Sequence, residues 1–132
     1  MAKIRHIAYR VEDVEAFADF FVKAFEMEIV QRRSGGVVDL SDGVLNISLL
    51  PPGTPTSDGE PTHGIAHIGF TVADEEAAKQ RLVAAGGEEL RTIRTDSANY
   101  EVKFRGPEGI VVDLGHWAGT ASISGEAAAA HA

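Results

Sequence analysis

The sequence contains no cysteine. Disulfides, thiolate metal sites and a cysteine nucleophile are therefore excluded. Cationic residues are also scarce: 12 Lys and Arg stand against 20 Asp and Glu, a net charge of −8. Such a chain repels a polyanion, which argues against nucleic acid as a partner. No apolar run approaches the roughly 20 residues that cross a bilayer, so no membrane span is expected. Met1-Ala2-Lys3-Ile4-Arg5 leads straight into patterned sequence without the apolar core of a signal peptide. A cytoplasmic location is the expectation. What remains is an ordinary globular composition, 44% hydrophobic and 24% charged over 132 residues, a length that suits one domain with a real core.

The most informative feature is an internal repeat. His6-Ile7-Ala8-Tyr9-Arg10-Val11-Glu12-Asp13 aligns with His67-Ile68-Gly69-Phe70-Thr71-Val72-Ala73-Asp74. The alignment continues without a gap: Glu15 meets Glu76, Ala16 meets Ala77, Val22 meets Val83 and Ala24 meets Ala85. Two modules of about 60 residues are too few for a solenoid. They predict one domain over 1–121, with module one at 3–50, a connection at 51–63 and module two at 64–117.

Each module reads alike. Ile4 to Val11 is β-rich, with Ile7, Tyr9 and Val11 on one face and His6, Ala8 and Arg10 on the other. Asp13 is placed to cap a helix, with Glu15 near the positive end of its dipole. Phe17, Phe20, Phe21, Ala24 and Phe25 follow at helical spacing as one apolar stripe. Module two repeats this with a strand from Ile65 to Val72, Asp74 as cap and a helix that Gly86-Gly87 stops. Short strands come next: Glu28–Arg32, Val37–Leu40 and Val44–Leu50 in module one, with Ser41-Asp42-Gly43 turning the last pair. In module two they are Glu89–Arg94, Tyr100–Arg105 and Ile110–Gly115. The expected class is α+β: two tandem βαβββ modules forming an open half-barrel sheet, helices outside. Pro51 to Gly64 is rich in Pro and Gly and reads as an exposed loop. The tail 122–132 has little to pack and reads as flexible.

His6 and His67 hold equivalent positions on the first strands. A strand alternates its faces, so if Ile7, Tyr9, Ile68 and Phe70 pack under helices, both imidazoles point to the concave side. Two imidazoles sharing a site commonly begin a transition-metal centre. Asp113, a charge inside the aliphatic run Ile110-Val111-Val112-Asp113-Leu114, needs a cation, hydrogen bonds or a raised pKa if buried. Together the three would make a facial triad with open coordination positions.

The paired βαβββ modules, the two octapeptides and the closing Gly106-Pro107-Glu108-Gly109-Ile110-Val111-Val112-Asp113-Leu114 resemble the vicinal oxygen chelate superfamily over residues 3 to 117. That superfamily includes glyoxalase I, methylmalonyl-CoA epimerase, extradiol dioxygenases, fosfomycin-resistance enzymes and bleomycin-binding proteins. One scaffold hosts many chemistries. The resemblance implies His6 and His67 as metal ligands and Asp113 in the place of the customary glutamate. Its possible fourth position falls on Ser48, a poor ligand for a divalent ion. A three-ligand site like that of the extradiol dioxygenases is therefore implied, with Fe(II) as the first expectation and Mn, Ni, Co, Zn or Mg as others.

By parity, Val102 and Phe104 face the helix, which turns Glu101, Lys103 and Arg105 to the concave side. Glu101 is the preferred proton-transfer group. Lys103, Asn46, Arg10 and Trp117 are candidates for the substrate pocket. Three readings follow from the resemblance. The first is a metal-dependent enzyme on a small substrate chelated through vicinal oxygens, extradiol-dioxygenase-like. The second is a glyoxalase- or epimerase-like lyase or isomerase. The third is a metal-free small-molecule binder of the bleomycin-resistance type. The exposed edges of a half-barrel, and the habit of the family, imply a homodimer.

Overall fold

The computed structural model describes residues 2–55, 60–90 and 100–116, the last stretch by backbone only at 100, 101, 115 and 116. Strand β1 (Lys3–Arg10) leads to Asp13, whose carboxylate accepts the Ala16 N–H at 3.0 Å and opens helix α1 (Val14–Phe25). Strands β2 (Glu28–Arg32), β3 (Val38–Ser41) and β4 (Asn46–Leu50) complete module one. Strand β5 (Gly64–Thr71) begins the second pass, and Asp74 caps helix α2 (Glu75–Ala84) by accepting the Ala77 N–H at 3.1 Å. Strands β6 (Glu88–Glu89), β7 (Tyr100–Arg105) and β8 (Val111–His116) follow.

All eight strands join one mixed, open sheet in the order β2-β3-β4-β1-β5-β8-β7-β6. Within each half the first strand runs parallel to the last, β1 beside β4 and β5 beside β8. The two halves meet edge to edge through antiparallel β1 and β5. This arrangement brings the two first-strand histidines to the middle of one sheet.

Module one packs Val11, Val14, Ala18, Val38, Leu40 and Leu49 between α1 and the sheet. The helical stripe proves wider than the contact. Val14, Ala18, Phe21 and Val22 meet the sheet, whereas Phe17, Phe20 and Phe25 are 40%, 55% and 64% exposed. Module two is leaner: where the repeat has Phe17 and Phe21, it has Ala78 and Leu82, and a cavity of about 340 Å³ lies between α2 and the sheet. The expected strand from Val44 starts instead at Asn46. Asp42 Oδ1 accepts the N–H groups of Val44 (2.8 Å) and Leu45 (2.7 Å) and holds both in the turn. The strand expected at 89–94 is seen as Glu88–Glu89; positions 91–94, like the tail 122–132, fall outside the described residues. Among the described residues no helix is long and apolar enough to cross a membrane.

Candidate metal centre

The register of β1 with β5 sets the geometry. His6 pairs with Gly69, and Ala8 pairs with His67, so the two imidazoles reach the concave face from adjacent strands. The pairing skips one residue on each strand, Arg5 before His6 and Ala66 before His67. These bulges are themselves repeat-related, and a bulge re-aims the side chain beside it. Both skipped residues are 2% exposed. Beyond β5, Asp113 pairs with Gly69 from β8.

The three side chains converge within a single chain. His6 Nε2 stands 3.1 Å from His67 Nε2. Asp113 Oδ2 lies 3.1 Å from His67 Nε2 and 3.6 Å from His6 Nε2. His6 and Asp113 are fully buried, and His67 is 6% exposed. Neither carboxylate oxygen of Asp113 makes an aligned hydrogen bond among the described residues. The three atoms lie close enough together to be ligands of one ion. Neighbouring ligands of one ion at about 2.1 Å are spaced by roughly 3.0–3.4 Å; the two 3.1 Å separations fall in that range and the 3.6 Å one lies just above it. The group is the one set of His, Cys, Asp and Glu among the described residues that fits a metal ion.

Electrostatics suit the same role at His6 and Asp113. Burial pushes the His6 imidazole well below its usual value, and the charges of His67, Arg5 and Lys103 add to this against the pull of Asp113. His6 is then neutral near pH 7, as a ligand must be. For His67 burial also lowers, but the nearby carboxylates of Asp113 and Glu60 outweigh it and the value is raised. Burial opposes ionisation of Asp113; His6, His67 and Lys103 nonetheless hold its carboxyl well below the usual range.

A second layer surrounds the group. His67 Nδ1 makes a very short contact with Glu60 Oε1. Lys103 Nζ lies 3.2 Å from the same Nδ1 and 3.5 Å from Glu60 Oε1. Asn46 is fully buried in register with His6 and donates to the Leu40 carbonyl at 3.2 Å. Arg10 is turned to the 51–63 connection, donating to the carbonyls of Thr54 (2.9 Å) and Pro55 (3.2 Å). Ser48 Oγ donates to Asp39 Oδ1 at 2.6 Å. Asp39 is also held by Gln31 Nε2 at 2.6 Å and by Arg33 Nε at 2.9 Å. Glu101 lies on β7 opposite Gly115, while its side chain and Trp117 are outside the described residues.

Sequence reasoning missed four contributors. Glu60 sits in the connection read as an exposed loop; Pro52, Gly53, Pro55, Pro61, Thr62 and His63 are exposed there as expected, but Glu60 is 6% exposed, because it meets His67 and Lys103. Arg5 escaped because period-2 alternation puts it opposite His6, and only the bulge turns it inward. Asp39 lies on β3 and is buried by contacts with Ser48, Gln31 and Arg33 that sequence spacing does not reveal. Gly69 carried a signal that went unread: its repeat partner is Ala8, so both octapeptides keep a small residue two places after the histidine.

A sequence profile described as Glyoxalase/Bleomycin resistance protein/Dioxygenase superfamily matches residues 3–114. No curated protein matches the chain. Among solved structures, a variant methylmalonyl-CoA epimerase of Streptomyces coelicolor in complex with 2-nitronate-propionyl-CoA is similar at 21% identity. It covers 92% of this chain and 98% of that one, with a TM-score of 0.66. The methylmalonyl-CoA epimerase of Mycobacterium tuberculosis matches at 19% identity, covering 86% of each chain, TM-score 0.61. The 2,3-dioxygenase LapB of Pseudomonas sp. KL28 matches at 20% identity over 93% of this chain but 42% of its own, TM-score 0.68. At these identities the likeness is one of fold. The profile match spans most of the sequence and agrees with the repeated βαβββ topology: the chain belongs to the Glyoxalase/Bleomycin resistance protein/Dioxygenase superfamily.

Proposed function

We propose that the protein is a divalent-metal-dependent enzyme acting on a small substrate that presents two adjacent oxygens, and that its reaction is of the extradiol-dioxygenase type. The observation that carries this reading is the convergence of His6 Nε2, His67 Nε2 and Asp113 Oδ2 to within 3.1–3.6 Å with no aligned hydrogen bond to Asp113. When bound, a divalent ion supplies Lewis acidity to vicinal oxygens and, as Fe(II), the redox chemistry for ring-opening by dioxygen. The protein's own groups do the rest. His6 offers a neutral imidazole and Asp113 a fixed negative charge. The Ser48 hydroxyl is engaged by Asp39, which supports three protein ligands rather than four. Lys103 and Glu60 stand behind His67, on its Nδ1 side, and so support that ligand rather than reach a substrate.

The reading is tested by anaerobic reconstitution with Fe(II), Mn(II), Ni(II) or Zn(II) of protein without a polyhistidine tag. Near one equivalent is expected in the wild type and a clear loss in His6→Ala, His67→Ala and Asp113→Ala. Retention below about a tenth of an equivalent in the wild type, or unchanged stoichiometry in all three variants, refutes the site. Oxygen uptake by the Fe(II) form with an ortho-diphenol then tests the reaction.

A second reading, an epimerase or other isomerase, is supported by the likeness of fold to methylmalonyl-CoA epimerases. It predicts solvent deuterium uptake next to a thioester carbonyl without oxygen consumption. Glu101 remains the proposed proton-transfer group for that chemistry. We also propose a homodimer, supported by the exposed rings of Phe17, Phe20 and Phe25.

A further inference from the structure

Two groups compete for one nitrogen of His67. Glu60 Oε1 contacts Nδ1 and can only accept, since an ionised carboxylate has no proton to give. Lys103 Nζ is 3.2 Å from the same Nδ1 and can only donate. The two demand opposite states of the ring. A proton on Nδ1 satisfies Glu60 and leaves the Nε2 lone pair facing His6 and Asp113. A lone pair on Nδ1 satisfies Lys103 and puts the proton on Nε2, where it blocks ligation. Asp113 Oδ2, 3.1 Å from Nε2 but without hydrogen-bond alignment, adds weakly to the second demand.

The contacts decide between them. The Glu60 carboxylate is fully buried, where a charge-assisted hydrogen bond is strong. Lys103 also lies 3.5 Å from Glu60 Oε1, so its ammonium has the carboxylate as an alternative partner. Glu60 reaches this place from the connection between the modules. Arg10 ties down the same connection through the carbonyls of Thr54 and Pro55.

We infer that Glu60 is a positioning residue that fixes the proton of His67 on Nδ1 against the competing donor Lys103, and so makes Nε2 a ligand atom. The connection between the modules is on this account a working part of the site. The inference rests on the metal-centre reading above, but it makes a claim about the metal-free protein that can be checked separately. Carboxylates behind metal-binding histidines typically change metal affinity by about 10–100-fold.

The experiment uses the full chain, metal-free and nitrogen-15 labelled, in the alkaline range where imidazole is neutral. Two-bond proton–nitrogen correlation NMR reads the tautomer of His67, and competition with a chromophoric chelator reads zinc affinity. The wild type is expected to carry the proton on Nδ1. Glu60→Ala should move it to Nε2 and weaken zinc by about 10–100-fold. Glu60→Gln keeps an accepting oxygen, so the Nδ1–H form and zinc affinity within about threefold are expected. Adding Lys103→Met to Glu60→Ala removes the competing donor and should restore part of the affinity. A wild-type His67 with its proton on Nε2 overturns the inference without any variant, and so does Glu60→Ala with an unchanged tautomer. If the tautomer obeys Glu60 but the wild type takes up no metal, the metal-centre reading fails and the positioning role stands.

Discussion

Ser48 and Asp113 occupy equivalent places in the two halves of the sheet. Ser48 is in register with Ala8 and Asp113 with Gly69, and those two partners are themselves repeat equivalents. The next strand outward carries a complementary difference: Asp39 pairs with Ser48, whereas Lys103 pairs with Asp113. One half therefore sets a hydroxyl beside an acid, and the other an acid beside an amine. The carboxylate of module one has moved one strand away from the histidines, where Arg33, Gln31 and Ser48 hold it.

From this follows the behaviour of Ser48→Ala. Asp39 is fully buried, and loss of the Ser48 hydroxyl removes a hydrogen bond to a charged group, a cost of about 1–3 kcal/mol. Metal affinity should stay within about twofold, because the hydroxyl belongs to Asp39 and not to the ion. Denaturant unfolding and a zinc titration measure the two effects. A tenfold loss of affinity would make Ser48 a fourth ligand and revive the four-ligand, isomerase-like site.

Gly69 is fixed by sterics rather than by its dihedral angles. A Cβ there would stand 2.2 Å from His6 Cε1 and 2.6 Å from Asp113 Oδ1. Both are fully buried residues of the proposed metal centre, held by neighbouring strands. Gly69→Ala should lower stability by about 1–3 kcal/mol through overpacking and weaken zinc binding by at least about tenfold, since it displaces two ligands together. Full retention of affinity with a normal melting curve would show that His6 and Asp113 need not hold the observed positions.

The repeat made much of this readable. Period-2 alternation around His6 and His67, and one charge in an aliphatic strand, were enough to nominate the three converging residues. The helix caps Asp13 and Asp74 and the Ser41-Asp42-Gly43 turn were equally plain, because they depend on contacts within a few positions. What escaped depends on contacts far apart in sequence. Glu60 is brought to His67 by the path of a connection whose composition signals only a loop. Arg5 is turned inward by a bulge that exists only because β1 and β5 pair. The width of the α1 stripe suggested a larger core than module one builds, since apolar periodicity does not say how much of a face is covered.

Asp42 supplies a pH-dependent share of stability. Its carboxyl is pulled below the usual value, first by the Leu45 N–H, against the opposing effect of burial, and further by the N–H groups of Val44 and of Asp42 itself. The sign is that of a depressed acid: the contribution is present above the unfolded carboxyl's pKa of about 3.9 and is lost as pH falls through the lower folded value. The side chain is exposed, so solvent screening limits the benefit to roughly 0.5–1 kcal/mol. Asp42→Ala should cost that much at pH 7 and nothing at the acid end of the range. Parallel unfolding curves at the two ends, with a gap that does not close on acidification, would assign the loss to something other than the carboxylate.

The exposed face of α1 makes the proposed homodimer testable at named positions. Phe20 packs edge-to-face on Phe21 (ring centroids 5.6 Å) and on Phe25 (6.0 Å), forming a continuous aromatic surface although Phe20 and Phe25 are more than half exposed. A buried aromatic side chain removes about 150–250 Å² from water, and a stable interface needs about 800 Å² per partner. Phe17, Phe20 and Phe25 would thus provide a large part of a dimer's apolar centre. Phe20→Glu with Phe25→Glu should turn a dimer into a monomer in light scattering. It should leave the circular dichroism spectrum unchanged, because neither ring is part of the core that holds α1 to the sheet. A wild type that is monomeric at micromolar concentration, or a double variant that stays dimeric, would remove this face from the assembly.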